Sequence, residues 1–136
     1  MVAYALAHVR SVEFCADVAE YLEKIDATMD PFGGRFLFHG GTKDVVENSW
    51  PGDVILIEFP DLESVRGWWE SEAYQAIKHL RTDHMEADIV LFEGLPEGYR
   101  ATDSLKKLLA AQAGAAGTAD ASAPDTNAAN PSTPTN

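Results

Sequence analysis

All thirteen aromatic side chains of this 136-residue chain lie between Tyr4 and Tyr99, and the last 37 residues hold none. Large apolar side chains supply most of the driving force for a core, since burying one is worth about 1.5 to 3 kcal/mol. A single core must therefore form from the first hundred or so residues, an ordinary size for one domain. Residues 110–136 consist mainly of ten Ala, four Thr, three Pro and three Asn, with no Leu, Ile, Val or Phe. Ordering backbone costs about 1 to 2 kcal/mol per residue, and this composition has little apolar surface to offset it. We expect a domain over residues 1–100 and a disordered Ala/Thr/Pro/Asn-rich tail over 114–136. Between them, residues 101–113 read as a short helix or linker carrying Leu105, Leu108 and Leu109, with Thr102 or Asp103 as cap.

Acidic side chains outnumber basic ones 22 to 10, and the formal charge of −12 divides into −11 on residues 1–100 and −1 on the rest. An acidic folded surface repels phosphate backbones and anionic headgroups, so neither nucleic acid nor a membrane is an expected partner. No apolar run approaches the roughly 20 residues that span a bilayer, and the first residues lack a basic stretch leading into a hydrophobic segment, so the expected location is cytoplasmic. Cys15, the single cysteine, excludes an intrachain disulfide and a cysteine-based metal cluster.

Periodicity orders the elements. Residues 3–10 alternate Ala3, Ala5, Ala7 and Val9 against Tyr4, Leu6, His8 and Arg10, a strand with two unlike faces. Phe14, Val18, Tyr21, Leu22, Ile25, Met29 and Phe32 then follow helical spacing from a Ser11 cap to the Gly33-Gly34 stop. Residues 35–39 and 54–59 read as strands joined by a long loop containing Trp50-Pro51-Gly52. Asp61 caps a second helix, which kinks at Ser71 and runs on to Leu80, and residues 87–93 form the last strand. The order is βαββαβ. Right-handed crossovers place both helices on one face of a four-stranded antiparallel sheet. The other face is then expected to carry Tyr4, Leu6, His8, Arg35, Leu37, His39, Val54, Leu56 and Glu58, and two such faces packed together would enclose a cleft in a homodimer.

Three separated motifs carry a resemblance: Gly33-Gly34-Arg35-Phe36-Leu37 through Gly40-Gly41, the strand end Leu56-Ile57-Glu58-Phe59-Pro60, and Trp68-Trp69-Glu70-Ser71-Glu72-Ala73-Tyr74-Gln75. Residues 1 to about 95 resemble the family known as domain of unknown function 1330, within the dimeric α+β barrel superfamily of ferredoxin-like folds. The resemblance implies an α+β fold and a dimer. It also places the chain beside cofactor-free monooxygenases, muconolactone isomerase-like enzymes, haem-degrading oxygenases and small stress-response proteins. His39 stands where the family often has Arg, and Trp69 where Tyr or Phe is common.

On this register His8, Arg35, His39 and Glu58 converge on the open face, with Tyr4 nearby and Trp69 or Tyr74 closing the rim. A His oriented by a carboxylate can act as a general base, and Arg can hold an anionic or enolate oxygen. These four are the candidate catalytic residues, and Tyr4, Trp69, Tyr74 and Arg81 the candidate substrate-binding ones. The same groups could instead simply pair with one another across a dimer interface; Tyr74 and Trp69 also fit core packing, and Arg81 a cap or ion pair. His79 and His84 span a helix end at a spacing of five, which places them on different faces, so no metal site is expected. The glycine pairs lack the strand-to-helix setting of a phosphate loop. The expected function is a cofactor-independent enzyme of small-molecule metabolism, of oxygenase or isomerase type, acting in the cleft of a dimer. A non-catalytic dimer that binds a small ligand is the alternative.

Overall fold

The computed structural model describes residues 1–114; the expected tail beyond that point lies outside the described residues. Met1–Pro96 forms one compact unit. Its elements are β1 (Ala3–Val12), α1 (Ala16–Met29), β2 (Arg35–His39), β3 (Asp53–Phe59), α2 (Leu62–Glu70), α3 (Glu72–Thr82) and β4 (Met85–Glu93). The four strands make one antiparallel sheet in the order β2-β3-β1-β4, as expected from two right-handed crossovers. In a second unit, α4 (Ala101–Gly114) begins where the Arg100 amide donates to Asp103 Oδ2 at 3.0 Å. Among the described residues no helix is long and apolar enough to cross a membrane.

The alternation of β1 sorts its side chains as the sequence predicts. Ala3, Ala5 and Val9 are buried under the helices, and Ala5 and Ala7 lie opposite Ile57 and Ile55 of β3 and Leu91 and Ile89 of β4. The core continues through Tyr21, Ile25 and Met29 of α1, Phe59 of β3, and Val65, Trp68, Tyr74, Ile77 and Leu80 of α2 and α3. Trp68 is anchored through its indole N–H, which donates to Thr28 Oγ1 at 3.0 Å.

Helix boundaries follow local chemistry. The Asp61 carboxylate accepts from the Ser64 amide at 2.7 Å, and this bond holds the Asp61 pKa below its ordinary 3.8. Ser71 ends α2 and starts α3: its hydroxyl donates to the Trp68 carbonyl at 2.7 Å and accepts from the Tyr74 amide at 3.1 Å. Gly33 takes φ of 74° after the Asp30–Phe32 turn, and a Cβ on Gly34 would strike the Phe59 ring at 2.6 Å, so both glycines are required. One boundary differs from expectation. Ser11 does not cap α1, because β1 continues through Val12 and the helix starts only after Cys15. Phe14 is thereby left 72 % exposed, off the core stripe to which its spacing assigned it.

Candidate functional site

A β-bulge decides which candidate residues meet. Arg35 lies opposite Glu58 and Phe36 opposite Ile57, but Phe38 then faces Leu56 and His39 faces Ile55, so β2 holds one residue more than β3 across this interval. Phe36 and His39 consequently point the same way, toward the helices, and their rings stack at 4.9 Å with an interplanar angle of 7°. Strict alternation would have put His39 beside Arg35. The expected His8–Arg35–His39–Glu58 constellation therefore does not form.

What remains on the open face is dispersed. Arg35 and Glu58 pair at 2.9 Å, with the Arg35 side chain 68 % exposed, a setting in which ion pairs contribute little. Tyr4 lies opposite Glu58 and Phe92, with its ring 5.5 Å from that of Phe92. His8 lies opposite Val54, four residues from Glu58 or roughly 13 Å along a strand at ~3.3 Å per residue. Its ring stacks on Trp50 at 4.2 Å, and Nε2 is 2.8 Å from the Pro51 carbonyl oxygen. His8 therefore holds the β2–β3 loop rather than serving the carboxylate.

The other candidates meet on the opposite side of the sheet. Ala5, Ala7 and Ala87 are too small to fill the space beneath α1 and α3, leaving a cavity of about 280 Å³ between the layers. Tyr21, Trp68, Trp69, Tyr74 and Arg81 line it from the helices, and Phe36, His39, Asp53, Ile55 and Ile57 from the sheet. Exposed Phe14, His39 and Asp53 mark its open end, where β1 finishes and β3 and β4 begin.

The polar groups inside form a chain. Arg81 Nε donates to the Tyr74 hydroxyl at 3.0 Å, and that hydroxyl lies 3.0 Å from the hydroxyl of Tyr21. Tyr74 is 1 % exposed and Arg81 7 %. The Tyr74 ring packs against Trp68 and Trp69 at centroid distances of 4.5 and 5.2 Å, while Arg81 and Lys78 approach the Trp69 ring at 5.9 and 5.4 Å. Burial, reinforced by Tyr74, pushes the Tyr21 phenol far above its ordinary 10, despite the lowering influence of Arg81. Burial opposes the Arg81 charge, but the Tyr74 and Tyr21 oxygens outweigh it and leave the guanidinium pKa above its ordinary value. Tyr21 is thus a neutral phenol beside a permanent cation. Its place on the α1 stripe marks it as core in the sequence; the signal pointing further is that a buried tyrosine needs a partner for its hydroxyl.

His84 Nε2 sits 3.0 Å from Asp17 Oδ2, tying the end of α3 to the start of α1. Among the described residues no three His, Cys, Asp or Glu side chains gather as a metal site would need.

A four-stranded antiparallel sheet in this order, with its helices on one face and a hollow between the layers, defines a ferredoxin-like α+β domain. The chain belongs to the family described as domain of unknown function (DUF1330), which matches residues 2–95. No curated protein matches it. Among solved structures it is similar to a protein of unknown function from Rhodopseudomonas palustris, with a TM-score of 0.55 at 12% identity over 70% of this chain and 83% of that one. It is also similar to a dimeric ferredoxin-like protein of unknown function from a Jannaschia species, with a TM-score of 0.51 at 13% identity over 69% of this chain and 100% of the other. The cofactor-independent oxygenase SnoaB from Streptomyces nogalater matches with a TM-score of 0.45 at 11% identity over 73% and 96%.

Proposed function

We propose that this domain is a cofactor-independent enzyme of small-molecule metabolism, of oxygenase or isomerase type, whose reaction chamber is the cavity between helices and sheet. The observation that carries this reading is the composition of the cavity wall: apolar and aromatic surface interrupted by His39, Asp53, Tyr21, Tyr74 and Arg81. Pockets that bind small molecules are built this way, with few polar groups placed among many apolar ones. His39, at the open end, serves as the general base that takes a proton from an acidic C–H or O–H of the substrate. The electron pair left behind moves onto a substrate oxygen, and the Arg81–Tyr74 pair stabilises that oxyanion. Both reaction types can begin with this step.

Deuterium exchange from heavy water into a panel of enolisable one- and two-ring aryl ketones, followed by proton NMR, tests the proposal. Exchange above the protein-free rate, lost in His39→Ala, is expected. Saturable binding of the same compounds with no exchange for any of them would leave a non-catalytic binding protein.

We further propose that the chain works as a homodimer joined through its open sheet face. Phe38, Val90 and Phe92, 49 %, 49 % and 41 % exposed, lie on that face with Leu6 and Leu56, and one structure it resembles is dimeric.

A further inference from the structure

Arg81 is a buried cation without a matching anion. Among the described residues no carboxylate lies within 4.0 Å of its guanidinium, although Arg10, Lys24 and Arg35 each have one on the surface. In a chain with 22 acidic and 10 basic residues this is not for want of acids. A buried, uncompensated charge costs several kcal/mol in a protein interior, so a fold that keeps one usually has a partner for it. The Nε donor is committed to Tyr74. No fully buried side-chain nitrogen lacks a hydrogen bond among the described residues, so any guanidinium donors left over keep access to solvent, and Arg81 lines the cavity. Tyr74, itself bonded to Tyr21, fixes the guanidinium through Nε, and the Trp69 ring lies 5.9 Å away.

From this we infer that the ligand of the cavity is a flat monoanion of one to two rings, bound by its carboxylate or an equivalent oxyanion to Arg81. The inference rests on the cavity being the binding site and adds the charge and size of what enters. Size follows from volume: a hollow of ~150 Å³ lined by apolar side chains accepts benzene, so about 280 Å³ suits a bicyclic molecule with one small substituent. Flatness follows from the Trp68, Trp69, Tyr74 and Phe36 rings in the wall. Charge follows from Arg81. The chain's overall −12 acts against any anion, so a preference for one must arise locally.

The test compares 1-naphthoate with its uncharged isostere 1-naphthamide by calorimetry on the full chain at about pH 8.5, above the range in which imidazoles ordinarily carry charge. Wild type is expected to bind naphthoate at least about tenfold more tightly, equivalent to about 1.4 kcal/mol. Arg81→Met should lose the preference, and Arg81→Lys should keep part of it. Equal binding of the two compounds by wild type, or a preference that survives in Arg81→Met, would overturn the inference while leaving the cavity as the site. Saturation by neither compound would overturn the cavity reading and this inference with it. Should Arg81→Met not fold, wild type and Arg81→Lys decide the matter: an undiminished preference in the lysine variant counts against the bidentate seat an arginine provides.

Discussion

Tyr21 shows how a residue assigned to packing can acquire a chemical role through its neighbours. Helical spacing places Tyr21 on the buried stripe of α1, whereas Arg81 reads as a substrate-binding residue, a cap or an ion pair, and only their meeting through Tyr74, at 3.0 Å on either side, makes a polar site of them. Taking a charge out of water costs several kcal/mol, and Arg81 has no carboxylate among the described residues to offset it. Arg81→Met is accordingly expected to unfold at the same or a higher urea midpoint than wild type, even as it loses its ligand. A loss of more than about 2 kcal/mol would make Arg81 a structural tie instead. Tyr21 predicts the alkaline behaviour. Its folded pKa lies above the unfolded value of 10, so its contribution to stability is complete below pH 10 and is lost as pH rises toward the folded value. Between about pH 10 and 11, stability should decline by about 1 kcal/mol more in wild type than in Tyr21→Phe, as read from urea unfolding at each pH.

At the level of elements, the bulge in β2 and the alanines of β1 do most to place the site. The sequence Arg35-Phe36-Leu37-Phe38-His39 contains no glycine or proline to announce an interruption. Leu37 and Phe38 together occupy a space that alternation allots to one residue, which carries His39 to the helix side. The alanines, by contrast, are plain in the sequence, but small residues on a strand fit a close-packed helix as well as a hollow. Ala7→Leu distinguishes these. It should fill the cavity, weaken naphthoate binding at least about tenfold, and cost less than the ~1 to 3 kcal/mol of an overpacked core. Ser71 joins α2 to α3 by bonds of 2.7 and 3.1 Å, and Ser71→Ala should cost about 1 to 2 kcal/mol in thermal or urea unfolding. Because Tyr74 follows three residues later, that substitution should also loosen the seat of Arg81.

For the molecule as a whole, the sheet divides two tasks. Its helix side encloses the cavity, and its open side carries exposed Phe38, Val90 and Phe92 around the Arg35–Glu58 pair. Pairing through the open side would leave the cavities separate, one to each protomer. Analytical ultracentrifugation at micromolar concentration should therefore find two chains per particle. A Phe38→Asp, Phe92→Asp variant should sediment as one chain and still bind naphthoate. Loss of binding on dissociation would instead mean that the partner completes the site.

Much of this architecture is legible in the residues alone. The βαββαβ order, the Asp61 and Ser71 caps and the inward face of β1 follow from periods of 2 and 3.6 and from cap chemistry, because these signals arise among near neighbours in the chain. The location of the site does not. His39 depends on one extra residue in a strand pairing, His8 on a loop that returns to lay Trp50 against it, and Arg81 on a tyrosine of another helix, Tyr21, behind Tyr74. Composition and periodicity determined the layers; contacts between segments far apart in sequence decided which side of the sheet holds the candidate site, since a side chain's partner, unlike its spacing, is fixed only when the chain has folded.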